Sequence, residues 1–242
     1  MERLDKLLVS QGVGSRREVT ALIRQGRVAL DGTICRVPDT KIDPEKRLVA
    51  LDGSAIPYKK YVYLMMNKPA GLLSARRDSR QETVIDLLPD RLKRRELFPA
   101  GRLDKDTEGL LLITDDGDFA HRMLSPKKEV FKLYEAVLDG GITAEDREAF
   151  RNGITLGDGT KCRPAGLETV SDRPGYVVRV AVCEGKFHQV KRMIAQIDRT
   201  ILHLSRIKIG ALSLDPGLER GEFREMSGEE AAKVFSNDEK LF

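Results

Sequence analysis

The chain has 242 residues, enough for one large domain or for a small module joined to a medium-sized one. It is 40% hydrophobic and 33% charged, and no apolar stretch approaches the roughly 20 residues that span a bilayer, which excludes a protein with membrane-spanning helices. The 42 basic and 38 acidic residues leave a net charge of +4, a balance that permits a nucleic-acid partner without requiring one.

The cysteines, the histidines and the N-terminus predict a cytoplasmic protein without a metal centre. Cys35, Cys162 and Cys183 are widely spaced and form no C-x-x-C pair, which excludes a disulfide scaffold and a cysteine zinc site. The histidines show no metal-ligand spacing. The first residues, MERLDKLLVSQG, lack the basic and then apolar layout of a signal peptide, so we expect neither export nor a membrane partner.

Residues 1–58 predict a compact module that starts with two helices. Leucines at i, i+3 and i+4 in RLDKLLV mark the apolar face of a short helix. Ser15 and Glu18 form a capping box that predicts the start of a second helix, and Gly26 predicts its end. The Asp-Gly pair after RVAL then predicts a hairpin, followed by a strand at LVALDG.

Basic side chains cluster around these two helices. They are Arg3, Lys6, Arg16, Arg17, Arg24 and Arg27. The charge alone is compatible with a solvated helix surface or with an RNA-binding face. The order of helix, capped helix, glycine and short hairpin resembles the alpha-L RNA-binding module named after ribosomal protein S4. This resemblance implies that the basic residues bind folded RNA through its phosphates.

A linker at residues 56–60 separates this module from a second predicted domain, residues 61–242. That domain begins with the strand YVYLMMNK, which stops at a Pro-Ala-Gly turn. Residues 72–97 are basic and polar, with a short helix predicted around TVIDLL. The arginines of SARRDSRQ leave a solvated loop and an RNA-facing loop equally open.

The remaining segments alternate between predicted strands and helices without a regular strand-helix-strand repeat. LLLIT, VFKLYEAVL, YVVRVAVC and ILHLSRIKIG have the apolar or alternating pattern of strands. DFAHRMLS, TAEDREAFRNG, KFHQVKRMIAQI and SGEEAAKVF predict helices, the last opened by a capping box at Ser227 and Glu230. The pattern predicts an α+β fold: the small N-terminal module, and a larger domain with a mixed, mainly antiparallel sheet flanked by helices.

The densest group of polar residues is AGRLDKDTEGLLLITDDG, residues 100–117. Asp104 lies between a glycine-led turn and an apolar strand, where a side chain can reach a ligand. A second interpretation is that Asp104, Asp106 and Asp115 only cap turns. A third is a magnesium site for phosphoryl transfer, which the absence of a Gly-Lys-Ser/Thr phosphate loop disfavours. The Gly-x-Gly-x-x-Gly dinucleotide fingerprint is absent as well.

Four segments in this order resemble the pseudouridine synthases: MMNKPAGLLS, GRLDKDTEG, KLYEAVL and EGKFHQVKRM. With the N-terminal module they cover almost the full chain. The resemblance is strongest to the branch that modifies small-subunit ribosomal RNA, which implies a uridine-516 type of target in 16S RNA. Relatives that act on large-subunit (23S) RNA have the same domain order and remain an alternative. The implied reaction detaches uracil from its ribose and rejoins it through carbon 5, an isomerisation that needs no cofactor.

The resemblance also implies roles for individual residues. Asp104 matches the catalytic aspartate, a nucleophile at the anomeric carbon or a base on the neighbouring ribose carbon, and it must be ionised, so a cation should lie beside it. Lys191 matches the basic residue that pairs with the aspartate, and Tyr134 matches the tyrosine that stacks on the target base. Arg102 matches the arginine that occupies the space left by an extruded nucleotide. Three further motif positions are expected to contact RNA or to support loops: Lys68, His188 and Gln189.

Some alternatives remain open at this stage. From the residues alone, Lys191 could be a surface lysine and Tyr134 a core tyrosine. Asp106 is an acidic neighbour that could perturb Asp104, and Leu204 and Ile207 both fit the bulky residue expected under the target base. We expect a monomer that acts on ribosomal RNA, either free or in an assembling small-subunit particle. The rivals are a non-catalytic RNA-binding or assembly protein and a metal-dependent transferase.

Overall fold

The computed structural model describes residues 1–173 and 175–236, and the chain divides into two compact units. In residue numbers, these units are 1–62 together with 85–98, and 63–84 together with the chain from 99 onward. The sequence predicted one boundary, between residues 58 and 61, and did not predict that the chain returns to the first unit. Within the described ranges, no helix is long and apolar enough to cross a membrane.

The helices and strands follow in chain order. The helices are α1 (Leu4–Ser10), α2 (Arg16–Arg24), α3 (Asp90–Lys93), α4 (Gly117–Leu124), α5 (Ala144–Asn152), α6 (Gln189–Ala195) and α7 (Gly228–Lys233). The strands are β1 (Glu2–Arg3), β2 (Val28–Leu30), β3 (Thr33–Cys35), β4 (Lys41–Ile42), β5 (Val49–Leu51), β6 (Ser54–Ala55), β7 (Tyr63–Lys68), β8 (Phe98–Ala100), β9 (Glu108–Thr114), β10 (Lys132–Leu138), β11 (Gly166–Ser171), β12 (Val177–Val182), β13 (Ile201–Ile209), β14 (Leu212–Ser213) and β15 (Phe223–Glu225).

The first unit folds around the apolar faces of α1 and α2. Leu4, Leu8 and Ile23 are fully buried there, against strands in the order β3-β2-β5-β6. The hydroxyl of Ser15 accepts a hydrogen bond from the Glu18 amide, and the Glu18 carboxylate accepts one from the Ser15 amide, which confirms the predicted capping box. The second predicted box, at the start of α7, is present as well.

Residues 85–98 belong to the first unit because their side chains bond to its backbone. Arg95 donates from Nη2 to the carbonyl oxygens of Lys59 and Lys60 at 3.1 and 3.2 Å. Arg94 donates from Nη1 to the carbonyl oxygen of Gly12 at 3.3 Å. These hydrogen bonds join residues far apart in sequence, which explains why no local pattern predicted them.

The helix predicted around TVIDLL does not form. Thr83 pairs with Leu73 in an isolated bridge, and residues 84–87 form a turn. Pro89 disfavours helical backbone at the residue before it, and it instead serves as the N-cap of the short helix α3. Val84 and Leu88 are buried, so the apolar pattern of this stretch reflects burial in a turn and not a helix face.

The second unit contains one mixed sheet, whose strands run in the order β11-β12-β10-β13-β9-β7-β15 over the described residues, with β8 beside β9 and β14 beside β13. Strands β9 and β13 pair in parallel, and the other neighbours along this order are antiparallel. The predicted α+β fold is therefore confirmed.

The contact between β9 and β13 depends on Gly109. Its φ is +94°, and a Cβ at this position would lie 2.3 Å from the carbonyl oxygen of Arg206. Only glycine permits this approach. The loop with Asp104, which leads into β9, is thereby held close to the Arg206 region of β13.

Candidate active site

A cavity of about 720 Å³ opens in the second unit beside the loop that precedes β9. The loop before α6 and the neighbouring strands β10 and β13 complete its walls. Its lining includes Arg102, Asp104, Tyr134, Phe187, His188 and Arg206. Lys191 and Asp104 line an adjoining pocket. The structure thus brings together six residues predicted from the sequence for the site: Arg102, Asp104, Tyr134, His188, Gln189 and Lys191.

Asp104 presents a half-buried carboxylate to this cavity, with two nitrogen-bearing side chains beside it. Lys191 Nζ lies 3.5 Å from Oδ2 of Asp104, and His188 Nε2 lies 3.7 Å from Oδ1. Lys191 is in the first turn of α6, a helix anchored by the buried Val190 and Met193. The Lys191 ammonium and the Asp104 carboxylate are therefore close enough for a direct electrostatic attraction.

Lys191 is shared between two carboxylates. Its Nζ donates a hydrogen bond of 2.5 Å to Oδ1 of Asp106, which is shorter than its distance to Asp104. This hydrogen bond lowers the pKa of Asp106 below its usual value. Asp106, with 72% of its side chain exposed, therefore holds the ammonium from the solvent side while Asp104 lies on the cavity side.

The Lys68 side chain is hydrogen-bonded to the backbone of the loop that contains Asp104. Its ammonium is fully buried and donates to the carbonyl oxygens of four residues: Pro69 at 3.0 Å, Asp104 at 3.2 Å, Lys105 at 3.2 Å and Thr107 at 2.9 Å. Burial lowers the pKa of Lys68 to about 8. Of the two roles expected for Lys68, an RNA contact and loop support, loop support is the one that its hydrogen bonds serve.

Gln189 is also buried and organises the loop that precedes α6. Its Oε1 accepts from the Lys186 amide at 3.0 Å, and its Nε2 donates to Glu184 Oε1 at 2.9 Å. Of the two roles expected for Gln189, these hydrogen bonds serve loop support. They fix the chain that positions His188, whose φ of +49° lies in the left-handed region.

Tyr134 and Arg206 face each other across β10 and β13. They are register partners, and Nη1 of Arg206 lies 3.5 Å from the Tyr134 hydroxyl oxygen. Arg206 is only 3% exposed and also donates from Nε to the Leu110 carbonyl at 2.8 Å. Its Nη2 is buried and has no hydrogen-bond acceptor among the described residues. Tyr134 itself is half-buried and packs against the core, so its ring serves both the fold and the cavity.

Sequence reasoning missed Arg206. The signal was an arginine inside the apolar strand ILHLSRIKIG, since arginine is rarely buried without a specific partner. The two bulky candidates on the same strand differ in their surroundings. Leu204 is buried and lines the adjoining pocket with Asp104 and Tyr134. Ile207, three residues along the strand, lines neither that pocket nor the cavity.

The magnesium interpretation finds no support in the acidic residues. Over residues 1–173 and 175–236, no group of three or more His, Cys, Asp and Glu side chains is placed to hold a metal ion. Asp116 caps α4 by accepting from the Phe119 amide at 3.0 Å and also accepts from the Tyr63 hydroxyl at 2.6 Å. The Asp116 carboxylate thus has a structural role, as a helix cap and as the acceptor for Tyr63.

Comparison with known proteins decides the family. The model of the RNA pseudouridylate synthase family matches residues 62–196, more than half of the chain, and the S4 domain model matches residues 2–48. The chain belongs to the RNA pseudouridine synthases. It is therefore an isomerase that acts on RNA, with an S4 RNA-binding domain at its N-terminus.

The similarity to known pseudouridine synthases covers nearly the whole length of both chains. The uncharacterized RNA pseudouridine synthase YtzG of Bacillus subtilis is 47% identical and is covered over 96% of its length by 94% of this chain. Ribosomal small subunit pseudouridine synthase A of Vibrio cholerae is 39% identical, with 99% of that protein and 96% of this chain covered. A crystal structure of a pseudouridylate synthase matches 97% of this chain and 100% of that chain with a TM-score of 0.67 and 33% identity.

The six basic residues predicted for the S4 domain of the pseudouridine synthase differ in their surroundings. Arg16, Arg17 and Arg24 line one exposed concave surface on α2. Arg3 and Arg27 instead form ion pairs, with Asp5 at 2.8 Å and with Asp52 at 2.5 Å. Lys6 is exposed on α1. The three arginines of α2 therefore share one solvent-exposed surface.

Proposed function

We propose that this pseudouridine synthase modifies one uridine of small-subunit (16S) ribosomal RNA and that Asp104 is its catalytic carboxylate. The observation that carries the role of Asp104 is its position on the wall of a cavity large enough for a nucleotide, 3.5 Å from the Lys191 ammonium. The choice of RNA follows the Vibrio cholerae relative, whose name gives the small ribosomal subunit as its target.

The reaction rearranges one nucleotide. The bond from ribose C1′ to uracil N1 breaks, the detached ring turns, and C1′ bonds to C5. The proton on C5 is lost and N1 gains one, so atoms and charge balance without a cofactor. The ionised Asp104 acts either as a nucleophile at C1′ or as a base on the C2′ proton, and either role needs its oxygen against the ribose.

Lys191 and Tyr134 serve this step from two sides. The Lys191 ammonium lies 3.5 Å from the Asp104 carboxylate, and Asp106 holds that ammonium in place. Tyr134 stacks on the uracil and helps to remove the C5 proton, with its hydroxyl held near Arg206. Arg206 is then a positioning residue, because it acts on the reaction through Tyr134.

Access to the ribose requires the target nucleotide to leave its stack, at a cost of a few kcal/mol. Arg102 is exposed at the cavity, where its planar guanidinium can occupy the vacated space in the RNA. The α2 arginines bind phosphates elsewhere on the same RNA. The enzyme works as a monomer in the cytoplasm, on free ribosomal RNA or on an assembling particle.

Mapping of pseudouridines tests the proposal directly. Ribosomal RNA from cells with and without the gene is compared at every uridine of both subunits. We expect one site in 16S RNA to lose its modification and to regain it when the gene is restored. A site in 23S RNA that loses its modification would overturn the choice of RNA, and no change at any uridine would favour a binding or assembly protein.

A further inference from the structure

Phe187 is an aromatic ring displayed to solvent at the rim of the cavity. It is 71% exposed, in a chain with only 5% aromatic residues. Among the exposed large hydrophobic side chains of the described residues, the other aromatic is Tyr61, at 37%. Phe187 lines the same cavity as Asp104. A large apolar ring exposed at the rim of this cavity is available to contact what the cavity binds.

The loop holds this ring in place. The rings of Phe187 and His188 are stacked, with centroids 3.8 Å apart and an angle of 19° between their planes. His188 has a left-handed backbone, an uncommon conformation for a residue with a side chain. Hydrogen bonds on both sides maintain it: the Gln189 amide donates to the Lys186 carbonyl at 3.2 Å, and the Arg192 amide donates to the His188 carbonyl at 2.9 Å. The loop thus presents Phe187 at the rim of the cavity.

One face of the ring is covered and the other is available. His188 covers one face, and the high exposure of Phe187 leaves the opposite face open to solvent. Basic side chains lie along the same cavity, including Arg102, Lys105 and Lys186. An exposed aromatic face among basic residues is the arrangement that binds unpaired nucleobases by stacking while cations attract the backbone.

We propose that Phe187 stacks on the nucleobase adjacent to the target uridine when that uridine occupies the cavity. The inference rests on the proposed entry of the uridine beside Asp104. When the uridine leaves, each of its two flanking bases loses a stacking partner; Arg102 fills the vacated space against one of them, and Phe187 stacks on the other. Phe187 is then a binding residue that favours targets whose flanking base is free to unstack.

The test combines protein and RNA changes in one cycle. The RNA is a ribosomal fragment centred on the uridine identified by the mapping, made with an ordinary base or with an abasic residue immediately 5′ or 3′ of it. The proteins are wild type, Phe187→Ala, Phe187→Tyr and the control Val170→Ala, which trims another exposed apolar side chain on β11. The dissociation constant and the rate of pseudouridine formation are measured for each combination.

We expect Phe187→Ala to weaken binding of the ordinary RNA by roughly 5- to 100-fold, and Phe187→Tyr and Val170→Ala to change it less than about threefold. On one of the two abasic RNAs, the loss caused by Phe187→Ala should shrink to less than about twofold. An unchanged affinity of Phe187→Ala would overturn the inference. So would an equal loss on all three RNAs, since Phe187 would then only support His188. If wild type forms pseudouridine but the Phe187→Ala loss does not depend on the flanking base, the inference about Phe187 fails and the proposed function stands. If wild type forms no pseudouridine, both the inference and the proposed function fail.

Discussion

Lys191 Nζ lies 3.5 Å from Oδ2 of Asp104, at the end of the cavity where the loop before β9 meets the first turn of α6. The same ammonium is hydrogen-bonded to Asp106 at 2.5 Å. The two carboxylates differ in exposure, since 30% of the Asp104 side chain and 72% of the Asp106 side chain are accessible. The less exposed carboxylate, Asp104, is the one that lines the cavity.

Replacing Lys191 tests this pairing. Lys191→Met removes the cation beside Asp104. We expect kcat/KM to fall by roughly 10- to 100-fold, because a contact with a charged group contributes about 1.5–3 kcal/mol. Asp106→Asn leaves the ammonium in place, and we expect it to change kcat/KM by less than about fivefold, as for an exposed ion pair. Steady-state assays on the same RNA compare the two. A larger loss for Asp106→Asn would reverse the assigned roles.

Arg206 and Tyr134 should act as one unit. Arg206→Lys shortens the side chain that reaches the tyrosine hydroxyl, and Tyr134→Phe removes the hydroxyl while keeping the ring. We expect each to lower kcat by about 5-fold or more with little change in KM, and the double variant to be no worse than Tyr134→Phe. Thermal unfolding of each variant checks the fold. Additive losses would mean that Arg206 acts independently of Tyr134.

The buried ammonium of Lys132 predicts a pH dependence of stability. Burial, together with nearby Arg206, lowers the pKa of Lys132 to about 8, so the folded protein releases this proton more readily than the unfolded chain. The penalty for the charge is fully present below pH 8 and is relieved as the pH rises towards about 10.5, the value in the unfolded chain. Relative to Lys132→Met, wild type should gain up to about 3 kcal/mol between pH 7.5 and pH 10.

Urea unfolding of the two proteins at both pH values measures this difference, because other titrating groups are common to both. Lys127→Met, at an exposed position, serves as the matched control and should follow wild type at each pH. A difference between wild type and Lys132→Met that stays constant with pH would contradict the assignment.

The α2 arginines predict the salt dependence of RNA binding. Replacing Arg16, Arg17 and Arg24 together by Ala removes cations that share one surface. We expect weaker binding and a slope of log K against log salt that is smaller by about 2–3, close to one for each phosphate that an arginine no longer neutralises. Arg151→Ala, on an exposed position of α5, should leave the slope nearly unchanged. An unchanged slope in the triple variant would make the α2 surface a solvated face.

Features that depend on neighbouring residues could be predicted from the sequence. The capping box of Ser15 and Glu18 and the left-handed Gly26 each involve a few adjacent residues, and both are present. Features that depend on distant contacts could not. The burial of Lys68 under four carbonyls, and the pairing of Arg206 with Tyr134, arise from strands that meet only in the folded sheet. The four motifs of the candidate site were found because each is local, even though the cavity they form is not.

Pseudouridine formation by Asp104→Asn tests the central claim most directly. Asparagine keeps the size of the side chain and removes the charge that must act on the ribose, while Asp106→Asn makes the same change two residues away. Each purified variant is incubated with the substrate RNA, and product is quantified by mass spectrometry alongside the dissociation constant. We predict no product from Asp104→Asn, RNA binding within about threefold of wild type, and ready turnover by Asp106→Asn. Turnover by Asp104→Asn at a rate comparable to that of wild type would contradict the account.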